Sequence, residues 1–403
     1  MAKVDVVSAR RLEDDRSPPG APHLPSGTEE PPGEPAATPA ARALLLLLRV
    51  TGLVTDRAGP AARLYAALAF VVNSAGAGWF TVVCISTGRV LQGDGHVVVA
   101  LSHSGFFGLM YVLMWMSMAC CFLWSREQYG EQLTIIRAAV HRLSEFHGSM
   151  ELSASLRRNT SKLLAVVVIL FTITVAVRLY YQLLFPCGKL PLPCLPSLIY
   201  LIVFCWSIVS FCLVPFKYVL SSLYVESGLQ KISTILSAMV EERYQPDPAA
   251  VCDIISLHGE LSRTFGRLTR AMSAELVLVM ASGTIICVTM LLTVISSLTL
   301  GTFEVMVPML VLYTGLASVT MVLPSEAIQR CLEAAGEARE LLLAAELRQP
   351  PLSRQLGLLR ESVGRDLDTL GELGLFRLRR STVLSISSTI LTNAIIMLQF
   401  YFA

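Results

Sequence analysis

Residues 382–403 read TVLSISSTILTNAIIMLQFYFA. This segment is apolar and long enough to cross a bilayer, for which about 20 residues suffice. At roughly 100° per residue, a row of hydroxyl and amide side chains falls on one face of a helix: Ser381, Ser385, Ser388, Thr392 and Gln399. Lipid offers no partner for such a face, so it is expected to meet protein or water. If several copies surround an axis, this helix is suited to line a pore.

The composition of the rest of the chain is also that of a membrane protein. Hydrophobic residues make up 54% and charged residues 15% of the 403 residues, and the mean hydropathy is +0.61. A net charge of only +2 gives no indication of nucleic-acid binding. We predict an all-α polytopic protein in the lipid bilayer of the plasma membrane. Its seven predicted spans are 64–86, 97–124, 163–185, 195–220, 276–300, 303–324 and 382–402.

The distribution of positive charge predicts the orientation. Of the 32 Lys and Arg residues, 28 lie before the first span or in the segments 125–162, 221–273 and 325–381, whereas two lie in the opposite loops. The positive-inside rule then places the N-terminus in the cytoplasm and the C-terminus outside. A G-protein-coupled receptor has the reverse orientation, and the acidic-Arg-Tyr triplet of that class is missing after the third predicted span. We therefore do not favour such a receptor.

The predicted organisation has five parts. They are a disordered Pro-rich tail over 1–42, a short interfacial helix within 43–63, six spans with helical inner loops over 64–324, a cytosolic helical segment over 325–381, and the last span over 382–403. The inner loops carry apolar residues at helical spacing. They form either a packed inner bundle or separate amphipathic linkers.

The end of the chain resembles a family signature. Residues 392–400 read TNAIIMLQF, which is similar to the Thr-Tyr, five hydrophobic residues, Gln-Phe motif of gustatory receptors in the insect chemoreceptor superfamily. Thr392, Gln399 and Phe400 match this motif, and Asn393 replaces the usual Tyr. The resemblance covers about residues 64–403. It implies a taste-ligand-gated cation channel of four subunits, homomeric or heteromeric with related receptors.

The resemblance further implies that the last helix of each subunit lines one pore, and that a small ligand binds in the outer half of each subunit. A ring of apolar side chains closes a narrow pore by dewetting, and neutral amides help to strip an ion of water when it opens. Alternatively, the hydroxyl groups bond only to their own backbone or to a neighbouring helix. The predicted pore and gate residues are Ser385, Ser388, Thr392, Ile395, Ile396, Gln399 and Phe400.

Aromatic and charged residues gather in the outer halves of the predicted spans. The predicted ligand pocket comprises Tyr111, Trp115, Arg178, Tyr181, Phe204, Glu304 and Tyr313. Aromatic-lined cavities suit small molecules, although aromatic residues also form interfacial belts. Arg178 and Glu304 are expected to pair or to face a wet cavity. Lys217 is expected to extend to the inner interface, and Glu275 to stabilise the start of a helix.

Other functions are less well supported by the sequence. The predicted spans contain no His cluster, paired aspartates or Gly-x-Ser-x-Gly, so we predict no enzymatic activity, metal or cofactor. Cys187 and Cys194 share an outer loop, where they form a disulfide or are held apart by prolines. A transporter is the first alternative, although no paired half-repeats are evident. The second is a non-conducting subunit of the same fold.

Overall fold

The structure is a computed structural model. It describes residues 38–54, 59–93, 97–146, 151–184, 197–241, 243–244, 247–300, 303–374 and 376–402. These residues form the α-helices α1 (Pro39–Val50), α2 (Pro60–Gly93), α3 (Val97–Cys120), α4 (Arg126–Glu145), α5 (Glu151–Leu184), α6 (Ser197–Val240), α7 (Pro248–Leu300), α8 (Phe303–Ala317), α9 (Leu323–Arg348), α10 (Ser353–Thr369) and α11 (Arg380–Phe402). The all-α prediction is confirmed for this part of the chain.

Two short π-helical turns join helices end to end. Cys121–Ser125 connects α3 to α4, and Ser318–Val322 connects α8 to α9. Five helical rods among the described residues are long and apolar enough to cross a membrane: Gly108–Glu145, Ala154–Val177, Ile202–Val240, Pro248–Ile295 and Met306–Arg348. They overlap five of the predicted spans. The other two predicted spans fall in α2 and α11, and their crossing of the membrane stays a prediction, as does the orientation of the termini.

Helix α6 is the centre of the fold. Residues 211–229 are all buried, and α2, α3, α4, α5, α7 and α9 contact α6. A helix that is apolar all round must be enclosed by others, and this stretch of α6 is mainly apolar, with Lys217, Glu226 and a few serines as its polar residues. These six helices therefore surround α6.

The ends of the rods that are predicted to lie in the cytoplasm pack together as a bundle. The apolar stripe of α4, which includes Leu133, Ile136 and Leu143, is buried, and α9 buries a face of small residues that includes Ala334 and Ala338. Small side chains let helices approach closely, and α9 contacts both α6 and α10. Of the two possibilities open from the sequence, the structure contains the packed bundle.

Helix α1 starts earlier than predicted. The Thr38 hydroxyl accepts a 3.2 Å hydrogen bond from the Ala41 amide, and Pro39 occupies the first turn, where its missing N–H has no helical partner to lose. These two residues begin the helix at residue 39, four residues before the predicted boundary. Helix α1 packs against α5, where Thr38 and Thr160 share a hydrogen bond of 2.9 Å. Its interfacial position stays a prediction, and residues 1–37 lie outside the described residues.

Candidate functional site

Helix α11 is poorly covered by the rest of the chain. None of its described side chains is buried. Several large apolar side chains are exposed to solvent: Leu384 (69%), Leu391 (61%), Ile395 (49%) and Ile396 (43%). Val383 and Ile386 are half-buried against the core. On a helix of 100° per residue these two point about 140–160° away from Gln399. The polar stripe therefore faces away from the protein's own core.

The stripe residues are exposed, and one of them, Thr392, also bonds within the helix. Ser385, Ser388, Thr392 and Gln399 are all exposed. The Thr392 hydroxyl donates its hydrogen to the backbone carbonyl of Ser388 at 2.9 Å. For this donor, the alternative that the hydroxyl groups bond to their own backbone is correct. The hydroxyl oxygen keeps lone pairs that face outward, where they can accept from water or approach a cation. The side chain of Phe400 lies outside the described residues.

The base of α11 is tied to α9 by a bidentate ion pair. Arg380 donates from Nε to Glu326 Oε2 at 2.8 Å and from Nη2 to Glu326 Oε1 at 2.7 Å. Its Nη1 reaches Glu333 at 3.4 Å. Bidentate guanidinium–carboxylate pairs fix orientation as well as distance. Movement of the start of α11 away from α9 would therefore break this pair.

The loop before α11 is held by a glycine. Gly371 has φ of 78°, and a Cβ built there would lie 2.9 Å from Ile328 Cγ2 and 3.0 Å from the Leu378 carbonyl oxygen. The Leu378 amide in turn donates to the Gly371 carbonyl at 2.7 Å. Only glycine combines this left-handed conformation with so close an approach. The loop thus seats α11 on α9 in a defined position.

The structure places the predicted pocket residues on four helices, α3, α5, α6 and α8. Tyr111 on α3 and Phe204 on α6 are half-buried, Tyr313 on α8 is buried, and Glu304 at the start of α8 is exposed. Trp115 donates from Nε1 to Ser74 on α2 at 2.8 Å. The side chains of Arg178 and Tyr181 lie outside the described residues, as do Cys187 and Cys194. The ligand pocket, the Arg178–Glu304 pair and the disulfide stay predictions.

A small apolar cavity lies elsewhere, between α5 and α6. Its volume is about 10 Å³, and its lining includes Leu170, Thr174, Ile208 and Phe216. That space is about that of one water molecule. The Thr174 hydroxyl is already used, since it donates to the Leu170 carbonyl at 2.7 Å. We therefore assign no ligand to this cavity.

The expectations for Lys217 and Glu275 are wrong. Lys217 Nζ lies 3.1 Å from Glu275 Oε1, and the two side chains are 0% and 1% exposed. Lys217 therefore does not extend to the interface, because a carboxylate within the bundle binds it. Glu275 lies in the middle of α7 rather than at its start.

The first π-helical turn completes this buried network. It carries Cys121 and Ser125, whose Sγ and Oγ both accept from Lys217 Nζ at 3.0 Å. The Ser125 hydroxyl donates to Glu275 Oε2 at 2.9 Å, and Tyr129 donates to the Lys217 carbonyl at 2.9 Å. A π-helical turn shifts the register of one helix and often marks a functional position. Here it brings two polar groups to the ion pair, which locks α3, α6 and α7 together.

The fold and site define a multi-pass helical membrane protein with an uncovered terminal helix. A family model described as 7tm Chemosensory receptor matches residues 99–403. This match covers well over half of the chain, and the chain belongs to the 7tm chemosensory receptor family. The predicted membership of the insect chemoreceptor superfamily is thereby confirmed. The family is one of receptors rather than enzymes.

Solved structures share the architecture. The insect olfactory receptor OR5 from Machilis hrabei is similar with a TM-score of 0.63 at 12% identity, over 89% of this chain and 97% of that chain. The same receptor in complex with eugenol gives a TM-score of 0.57 at 14% identity, over 89% and 97%. At this identity the likeness concerns the fold alone. Among curated protein sequences, none matches this chain significantly.

Proposed function

We propose that this chain is a subunit of a ligand-gated, non-selective cation channel in the plasma membrane, in which α11 from four copies lines one ion path. The observation that carries the proposal is the exposure of the polar stripe on α11. Lipid does not satisfy a stripe of hydroxyl and amide groups, and the chain's own core lies on the other side of the helix. Neighbouring copies around a water-filled axis would satisfy both conditions.

We further propose that the gate consists of Ile395, Ile396, Gln399 and Phe400. Ile395 and Ile396 are exposed on either side of the stripe, so a ring of them would form an apolar constriction that dewets when narrow. Gln399 adds a neutral amide at the same constriction. The ion path below it would be lined by Ser385, Ser388 and Thr392.

We propose a small organic molecule as the ligand, of the taste type. The C-terminal motif with Thr392, Gln399 and Phe400 supports the gustatory subdivision, and the related olfactory receptor is solved with eugenol. The candidate pocket residues remain Tyr111, Trp115, Arg178, Tyr181, Phe204, Glu304 and Tyr313. Their aromatic surface suits sugars, amines or apolar molecules.

A gate made hydrophilic would test this proposal without knowledge of the ligand. Ile396→Ser should keep the closed constriction hydrated, and vesicles containing the purified variant should leak K⁺ and Na⁺ constitutively. The matched control is Leu391→Ser, a more exposed position (61% against 43% for Ile396) about 80° from the stripe, which should leave vesicles tight. If Ile395→Ser and Ile396→Ser both assemble but pass no ions, α11 does not line an ion path. A transporter or a non-conducting subunit would then be the better interpretation.

A further inference from the structure

Two stripes of opposite charge run along the inner ends of α7 and α9. The basic stripe on α7 consists of three exposed arginines: Arg263, Arg267 and Arg270. The acidic stripe on α9 consists of three exposed glutamates: Glu333, Glu337 and Glu340. Both follow the i, i+4, i+7 spacing, so each stripe occupies one helix face and runs for about 10 Å. Their lengths and spacings therefore match.

The two stripes do not neutralise each other within one chain. Among the described residues, no ion pair involves the basic stripe, and Arg263 donates instead to the Gly259 carbonyl at 2.9 Å. On the acidic stripe, Glu333 is the one residue paired within the described part of the chain, with Arg380. Five of the six charges on the two faces are thus left for solvent or for another molecule.

Contacts in the core place the two stripes at the same depth. The Lys217–Glu275 ion pair sets α6 and α7 level with each other at that point. About 7.5 Å further along α6, the Ser222 carbonyl accepts from Cys331 Sγ on α9 at 3.2 Å. We count along each helix from these contacts at 1.5 Å per residue. Arg270 then lies at the depth of Glu333, Arg267 at that of Glu337 and Arg263 at that of Glu340, each to within about one helical turn.

A second copy of this chain is the partner that fits both faces. Complementary patches on two different faces of one molecule make a heterologous contact, which closes into a ring when repeated by rotation. Rotation about an axis normal to the membrane preserves depth, so residues that are level within one chain meet between copies. Both α7 and α9 contact α11, so the stripes flank the helix proposed to face the axis.

Glycines beside the stripes leave room for this contact. Gly266 lies next to the basic stripe and Gly336 next to the acidic stripe, and nothing lies within 4 Å of a Cβ built at either position. We propose that copies of this chain assemble head to tail, with the basic stripe of one copy against the acidic stripe of the next. The number of copies in the ring rests on the proposed channel function, whereas the pairing of the stripes does not.

A charge swap in the full-length protein tests the pairing. Arg267→Glu and Glu337→Arg should each lower the association constant between copies by about tenfold, because an attractive pair becomes repulsive at every interface. The double variant should restore assembly. Mass photometry of the detergent-solubilised protein over a dilution series measures the assembled fraction. Arg339→Glu, which makes the same charge change at an exposed position outside the acidic stripe, should have no effect.

The double variant separates lost pairing from misfolding, because a misfolded single variant would not be restored by a second reversal. The proposal is overturned if both single variants assemble like the unmodified chain, or if the double variant stays as dissociated as the singles. If the charge swap changes assembly but Ile396→Ser causes no ion leak, the channel proposal is contradicted and the pairing of the stripes is not. If Ile396→Ser causes an ion leak but the charge swap leaves assembly unchanged, the pairing of the stripes is contradicted and the channel proposal is not.

Discussion

Lys217→Met tests the buried ion pair that joins α3, α6 and α7. The substitution keeps an apolar stem of similar length but removes the ammonium group, so the Glu275 carboxylate, 1% exposed, keeps only the Ser125 hydroxyl at 2.9 Å. Removal of one partner from a buried ion pair costs about 3–5 kcal/mol, because an uncompensated charge stays inside the protein. We expect a loss of stability of this size.

The expected loss corresponds to a measurable change in melting temperature. With an unfolding entropy of about 2.1 cal/mol/K per residue, a chain of 403 residues should melt about 4–6 °C lower. Intrinsic fluorescence of the purified protein in detergent, recorded at one fixed scan rate because unfolding of such proteins is often irreversible, provides the assay. The matched control is Lys162→Met, since Lys162 is exposed on α5 and its substitution should leave the melting temperature unchanged.

A second substitution distinguishes lost charge balance from lost packing. Glu275→Gln in the Lys217→Met background removes the stranded charge while an amide oxygen can still accept from Ser125. We expect most of the stability to return, to within about 1–2 kcal/mol, because a neutral buried pair avoids the desolvation penalty of the ions. The reasoning is refuted if Lys217→Met melts like the unmodified chain, or if the double variant is less stable than the single.

Three further predictions concern α11 and its base. Gln399→Ala should alter the permeability ratios among Na⁺, K⁺ and Ca²⁺ in vesicle recordings, because a ring of amides would be lost from the constriction; unchanged ratios would exclude this residue from the ion path. Glu326→Gln should loosen the bidentate tie to α11 and raise the rate of spontaneous openings, and an unchanged rate would show that the tie does not oppose opening. Gly371→Ala should lower the free energy of unfolding by about 2–4 kcal/mol through both positive φ and overpacking. Gly374→Ala, where φ is also positive but the space is open, should cost only about 1 kcal/mol, and equal effects on the melting temperature would contradict this account of the loop.

Much of the helical architecture was predictable because it depends on local pattern. Long apolar runs predicted the five helical rods that are able to cross a membrane, and the period of 3.6 residues placed Ser388, Thr392 and Gln399 on one face of the last helix. The inner continuations of α6, α7 and α9 were indicated by amphipathic spacing. The packing of these segments into one bundle could not be predicted, because an apolar stripe on one helix does not specify which other helix will cover it.

The buried network was not predictable in the same way. Lys217 and Glu275 are 58 residues apart, and their pairing depends on how three helices cross. A lysine near the inner end of a span is ordinarily able to reach the interface, and this general rule was misleading here. One signal in the sequence did indicate burial: Lys217 lies in a long, mainly apolar stretch of α6, and the polar residues that share its helix face, such as Ser210 and Ser221, are short.

The candidate site was predictable only where it lies on a single helix. The stripe on α11 needed nothing beyond periodicity, whereas the tie between Arg380 and Glu326 joins residues that are 54 positions apart. The tight approach at Gly371 likewise depends on Ile328 on another helix. The aromatic residues of the predicted pocket share only a predicted depth in the membrane, which does not determine the cavity that they surround.

The central claim is that α11 faces a water-filled axis shared by several copies. Single-particle imaging of the detergent-solubilised protein tests it most directly, because it gives both the number of copies and the position of each α11. We predict four copies with α11 innermost and with Ser388, Thr392 and Gln399 facing the axis. A monomer or dimer, or a ring in which these three side chains face lipid, would contradict the account.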